Sequence, residues 1–175
     1  MTSPDPVREA EAYQRSLLDA LGDDDPAEAQ ATTPDRIRRL IADAGPDLRT
    51  KPAARAWSVL ECIGHVSDAE IVMSARYRWV LAHDEPELIG YDQDLWVDGL
   101  RHNTDDPADL LAVFEALRVA NLALWRRSSP EQRARVGIHR ERGRESFDLM
   151  FRLLGGHDRV HLDQADRALA AVRAG

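Results

Sequence analysis

From Ser58 to about His83, apolar side chains recur at a helical spacing through Leu60, Ile63, Val66, Ala69, Val72, Met73, Tyr77 and Val80. At ~1.5 Å per residue, such a helix is about 40 Å long. A rod of that length cannot bury its apolar stripe alone. It needs neighbours along its whole extent, which is the arrangement of a helical bundle. Ser58 stands where an N-cap is required.

The same period recurs elsewhere. Val7 to Leu21 carries Val7, Ala10, Tyr13, Leu17, Leu18 and Leu21, and is stopped by Gly22 and the run Asp23-Asp24-Asp25-Pro26. Thr33-Pro34 reads as an N-cap followed by a first-turn proline, opening a short helix to Ala44 that Gly45-Pro46 ends. Residues 45–56 form a polar connector. Residues 84–107 hold Pro86, Gly90, Gly99, Pro107 and many aspartates, and read as a long loop with one short turn of helix near Trp96. Pro107 to Arg127 is the next clear helix, and Ser129-Pro130 starts another turn. Residues 136–145 show no helical period. Ser146 caps a last helix from Phe147 to about Arg173. The expected fold is all-α: a four-helix bundle with a short extra helix and a long crossing loop, in one domain over residues 1–175.

Charge and composition remove several function classes. The 23 Lys+Arg and 31 Asp+Glu are mixed along the chain and leave a formal net charge of −8. The basic run around Arg140, Arg142 and Arg144 is broken by Glu141 and Gly143. No basic stripe offers the positive footprint that nucleic acid requires. No stretch approaches the ~20 apolar residues of a membrane span, and the polar, acidic first residues do not resemble a signal peptide. A cytoplasmic location is therefore expected. One cysteine, Cys62, excludes a disulfide within the chain. Lying three residues before His65, it reads as a small buried hydrophobe, or else as a soft ligand or redox partner.

The chemistry concentrates in the segment GGHDRVHLDQ. His157 and His161 are four residues apart, so their rings stand one turn apart on one helix face and can reach a single metal ion. On that face, apolar Met150, Leu153 and Leu154 give way to the histidines and Gln164. Polar groups on a core face must be paired. A metal would satisfy both rings; ordinary hydrogen bonds are the alternative. Gly155 and Gly156 cost a helix roughly 2 kcal/mol relative to alanine, which implies a kink or the close approach of a helix or ligand beside His157. His65, on the long helix, is the candidate third ligand if the fold brings it to the pair. Glu61 and Asp68 flank it at helical spacing and are candidates to orient its ring. His83, His102 and His139 lie at a helix end or in loops and read as surface residues. The chain has neither the His-Glu-x-x-His of a zincin nor the Glu-x-x-His of a di-iron bundle.

Taken in order, Trp57-Ser58-x-x-Glu61-x-x-x-His65 with Asp68, then YDQDLW, then Arg118-x-x-Asn121, then Gly143 through Gln164 with HDRVHLDQ, the chain resembles the DinB-like superfamily of bacterial metal-binding bundles over roughly residues 10–170. The resemblance implies an up-down-down-up bundle, a homodimer, and a divalent metal, zinc or nickel, held by His65, His157 and His161. Related mycothiol-dependent isomerases carry a carboxylate at one of these places; this sequence has histidine at all three. Bacillithiol transferases of the family use the metal to bind a low-molecular-weight thiol. The family name refers to DNA-damage induction and implies no DNA binding.

These readings lead to a thiol S-transferase, with a small-molecule thiol such as bacillithiol or mycothiol and an electrophile as partners. A metal-dependent hydrolase and a non-catalytic, metal-stabilised bundle are the alternatives. Glu61, Asp68 and Asn121 are the candidate catalytic residues. Tyr91, Trp96 and Arg118 are the candidates for binding a thiol cofactor.

Overall fold

The computed structural model describes residues 9–175. Four helices form the bundle: α1 (Ala10–Leu21), α4 (Val59–Ala82), α6 (Pro107–Arg127) and α8 (Phe147–Ala174). Helices α2 (Pro26–Ala31), α3 (Thr33–Ala44), α5 (Gln93–Gly99) and α7 (Pro130–Arg133) connect them. Val7, the expected start of the first helix, lies outside the described residues. Among those described, no helix is long and apolar enough to cross a membrane.

Local signals account for most of the ends. Ser58 and Glu61 form a reciprocal capping box on α4. Ser129 and Gln132 do the same on α7, and Ser146 accepts the amide of Leu149 at the start of α8. Two starts differ from expectation. Asp25 and Pro26 do not merely stop α1. They open α2, with Asp25 Oδ1 accepting from the amides of Ala27 and Glu28. Thr33 does not cap α3 either: it is the first helical residue, and its hydroxyl donates to Asp158 at 2.9 Å.

Contacts between helices give the bundle its directions. Along α4 and α6, Ser67 pairs with Leu110, Glu70 with Arg118 and Asn121, and Ser74 with Asn121, so the two run parallel. His65 meets His157 whereas Tyr77 meets Phe147, so α8 is antiparallel to α4. Leu17 lies against Gly156 and Ala20 against Arg159, so α1 runs with α8. The order is up-down-down-up. Parallel α4 and α6 require the chain to travel back along the bundle between them, which is why the crossing loop of residues 83–106 is long. It holds α5, as expected near Trp96, and a 3-10 turn at His102–Thr104.

The stretch without helical period is a small sheet. Strands β2 (Val136–His139) and β3 (Gly143–Ser146) form an antiparallel hairpin, and β1 (Glu87–Leu88) adds to β2 in parallel. Strands of four residues show too few alternations to be recognised from periodicity. Gly137 sits where Leu88 Cγ would be 2.7 Å from any added Cβ, so only glycine lets β1 lie this close.

The core has two apolar clusters. One gathers Ile37, Leu60, Ile63, Val66, Phe114, Leu162 and Leu169; the other gathers Met73, Tyr77, Val80, Leu122, Trp125, Phe147 and Phe151. Between them, the three facing helices each turn polar at the same level: His65, Asp68 and Glu70 on α4, Arg118 and Asn121 on α6, His157, Asp158 and His161 on α8. A buried polar layer thus divides the bundle.

Candidate metal centre

His65 comes from α4, and His157 and His161 come from successive turns of α8. The antiparallel register brings the first to the level of the other two. One ring nitrogen from each lies within 4.8 Å of the others. The Nε2 atoms of His65 and His157 are 2.9 Å apart. His161 Nδ1 faces Gln164 Oε1 at 3.0 Å, one turn along the helix. With its Nδ1–H donated there, the ring's Nε2 carries the lone pair, and that atom is buried with no partner. Trp57 lies over the group, nearly parallel to His161 at 6.0 Å and tilted against His65 at 5.1 Å.

All three rings are held neutral. Burial, then the neighbouring rings, pushes His65 and His157 well below their ordinary value, and burial lowers His161 to about 4. Neutral imidazoles present lone pairs, the form in which they bind metal. Three nitrogens on one tetrahedral zinc ion at ~2.0–2.1 Å would lie about 3.4 Å from one another. The spacing here, with an orphaned buried Nε2 on His161, fits a divalent cation among them. Among the described residues, no carboxylate belongs to the cluster.

A cavity of about 520 Å³ borders His65 and His157. Its walls come from α1 (Tyr13, Leu17), α4 (Met73, Arg76), the crossing loop (Tyr91) and the sheet hairpin (Arg142). The glycine pair on α8 explains how α1 reaches this wall. A Cβ on Gly156 would lie 1.9 Å from the carbonyl oxygen of Leu17. The pair therefore marks the close approach of a helix.

The other residues singled out in the sequence have these places. Tyr91 lines the cavity 6.5 Å from His65, and Trp96 packs on Tyr91 at 4.5 Å without being part of the lining. Glu61 and Asp68 do not orient His65, as expected of one of them. Glu61 completes the α4 capping box and pairs with Lys51 at 2.8 Å. Asp68 bonds His102 Nε2 at 2.7 Å, and His65 Nδ1 has no partner. Arg118 and Asn121 lie outside the cavity wall, in the other half of the polar layer. Arg118 Nη2 reaches Glu70 at 2.7 Å and Asp158 at 2.8 Å, while Asn121 Nδ2 donates to Glu70 at 2.9 Å. Cys62 belongs to the first apolar cluster, its thiol pushed up to about 12 chiefly by burial and not drawn into the histidine group.

Two histidines read as surface residues are buried. His102 is clamped between Asp68 and Asp105, its ring filling the space that a side chain on Gly64 would occupy. His139 lies between Arg76 and Glu141. Asp105 and Glu141 are near neighbours in sequence, but the second partner of each ring, Asp68 or Arg76, comes from α4 and is not visible locally. Gln164 and Trp57 were given no role from sequence. Gln164 had a signal, its position one turn beyond His161; Trp57 had its place beside the α4 cap and at the head of the motif that ends in His65.

Fold and site together define a four-helix bundle with a buried three-histidine cluster beside a small-molecule cavity. The chain belongs to the DinB superfamily, whose model matches residues 15–165. Two proteins of Oceanobacillus iheyensis resemble it, both provisionally named metal-dependent hydrolases. OB0413 is 22% identical over 66% of this chain and 66% of its own length, so the chain spans a little under two thirds of that relative. OB0782 is 24% identical over 74% of this chain and 75% of its own. Among solved structures, YfiT from Bacillus subtilis superposes with a TM-score of 0.73 at 19% identity, covering 99% of this chain and 94% of that one. YfiT is described, provisionally again, as a metal-dependent hydrolase with an unusual four-helix bundle topology.

Proposed function

We propose that this chain is a metal-dependent enzyme that transfers a low-molecular-weight thiol, such as bacillithiol or mycothiol, to an electrophile, with zinc or nickel held by His65, His157 and His161. The observation that carries this reading is the set of three neutral imidazoles, without a carboxylate, at the wall of a cavity of small-molecule size. A divalent cation held by neutral ligands keeps its full charge and lowers the pKa of a thiol or water that reaches it.

The chain's own residues do the remaining work. Gln164 fixes the tautomer and orientation of His161. Trp57 covers two of the rings and keeps water from that side. Leu17, Met73 and Leu154 give the cavity an apolar wall for the body of the substrate. The two carboxylates nearest His65 along α4, Glu61 and Asp68, are committed to the helix cap and to His102. No general base stands ready there. Attack by a thiol that has shed its proton to solvent requires none, and the leaving group departs from the electrophile with its bonding electrons.

A second reading, metal-dependent hydrolysis, is favoured by the names of the relatives and of YfiT. One experiment separates the two. Untagged protein is purified, its metal is identified by elemental analysis, and the loaded protein is assayed with bacillithiol or mycothiol and a chloronitrobenzene. Ester and amide panels are run in parallel without thiol. Thiol-dependent turnover is the expected result. Turnover on the panels without thiol would replace S-transfer by hydrolysis, and silence in both with metal intact would overturn both.

A further inference from the structure

The charges around the cavity are matched within the protein. Arg142 forks onto Glu145 through Nε and Nη2. Arg76 and Glu141 flank His139, which is lowered to about 4, chiefly by burial, and is uncharged. Arg76 also donates to the Ile89 carbonyl, and Gln14 gives its amide to Glu145 at 2.7 Å. On the rim, Asp92 caps α5 and Asp94 bonds the Trp57 side chain. These pairings leave no guanidinium that calls for an anion, and the wall suits an uncharged molecule.

Two hydroxyl donors remain uncommitted. Tyr13 on α1 and Tyr91 on the crossing loop both line the cavity, and neither hydroxyl bonds another described residue. The Tyr91 ring packs on Trp96 at 4.5 Å and stands 6.5 Å from the His65 ring, which fixes it beside the histidine cluster. Its phenol lies within electrostatic reach of Tyr13, Arg76 and Arg142, and the Tyr13 phenol within reach of Arg142, so both address one end of the cavity. Burial pushes both phenols up, Tyr13 to about 12. Each therefore keeps its proton and can donate it to an acceptor.

We propose that Tyr91, with Tyr13 as a second donor, hydrogen-bonds an oxygen of the electrophile, which is an uncharged carbonyl or nitro compound. As the thiolate sulfur forms its bond to carbon, an electron pair moves onto that oxygen. A donor aimed there stabilises the developing charge more than it does the neutral oxygen. In a chloronitroarene the pair then returns to the ring and chloride leaves with its bonding electrons. In an enone the resulting enolate takes a proton from solvent. The inference deepens the proposed function by naming the class of electrophile, and it rests on the cavity being the substrate site.

The test uses metal-free full-length protein, so its result stands apart from any assay of turnover. Binding of 4-fluoroacetophenone and of 4-fluoro-α-methylstyrene, which has the same shape with a methylene in place of the oxygen, is measured by fluorine NMR. Tyr91→Phe should weaken binding of the ketone about 3–10-fold, as loss of one neutral hydrogen bond gives, and leave the alkene unchanged. Tyr13→Phe should cause a smaller loss of the same kind. The carbonyl stretch of the bound ketone, read by infrared spectroscopy, should lie lower in the parent than in Tyr91→Phe. Tyr91→Met replaces Tyr91→Phe if the latter does not fold. Ketone affinity unchanged by Tyr91→Phe, an equal loss for ketone and alkene, or binding of neither by the parent would each overturn the proposal. A failed turnover assay with thiols leaves these affinities standing, and a failed binding test removes the tyrosine donors without touching S-transfer.

Discussion

The polar layer of this bundle has two halves, and they meet at adjacent residues. His157 faces the histidine cluster and the cavity, while Asp158, its neighbour on α8, turns to Arg118, Glu70 and Thr33. In the second half, both carboxylates meet a cation that the protein itself supplies. Arg118 bridges two carboxylates, also donates to the Gln30 carbonyl at 3.2 Å, and lies over the Phe114 ring. In the first half, the rings are neutral and their lone pairs are left over. Both halves are buried and both are polar. What separates a structural network from a binding site here is whether the protein supplies the partners itself.

Experiments can break or sharpen that contrast. The largest effect is expected from Arg118→Met, which strands Glu70 and Asp158 as unpaired buried acids. The cost should be about 3–5 kcal/mol in urea unfolding. If the variant is as stable as the parent, the network is not structural.

Acidification should act on the other half. In the unfolded chain, the histidines take up protons near 6.5, whereas folded His161 resists until about 4. Stability is then complete above about pH 6.5 and is lost as the pH falls toward 4. At roughly 1.4 kcal/mol per pH unit, His161 alone accounts for about 3 kcal/mol. His65, His157 and His139 add to the loss in the same direction. Asp158 opposes it. Burial raises its carboxyl to about 6, so its contribution is present below 3.8 and is lost as the pH rises through 6. Urea midpoints of metal-free protein from pH 7.5 to 4 should fall steadily. A flat profile would mean that the rings accept protons in place.

Gly156→Ala tests the wall that joins the two halves to α1. Backbone carries the clash with Leu17, so neither side can rotate away. A loss of about 1–3 kcal/mol in thermal unfolding is expected. The smallest effect should come from Gln164→Leu, which removes the acceptor behind His161. Metal affinity, read by competition with a chromogenic chelator, should drop about 10–100-fold with the fold intact. An unchanged affinity would show that the ring needs no outer partner.

Much of the fold was legible because its signals are local. Ser58, Ser129 and Ser146 cap the helices they were expected to cap, and Pro107–Arg127 has the ends its sequence announces. The spacing of His157 and His161 and the demand of Gly155-Gly156 for a close neighbour were also readable. The roles of Asp68, Arg118 and Asn121 were not, whereas the capping role of Glu61 is local to Ser58-x-x-Glu61 and went unread. A buried carboxylate goes to whichever cation the packing places nearest, and for Asp68 and Glu70 those groups lie 34 and 48 residues away. The burial of His102 and His139, the α2 helix and the three-strand sheet escaped for the same reason: each depends on a partner distant in sequence or on a segment too short to show its period.

Helical period and capping chemistry by themselves determined the long rods and set two imidazoles one turn apart, because both properties are complete within a few consecutive residues. Only the packing of α4 against α8 decided that His65 stands level with that pair, and that Asp158 turns to Arg118 while His157 does not. Register between helices is a sum over the whole interface, and no local stretch of sequence contains it.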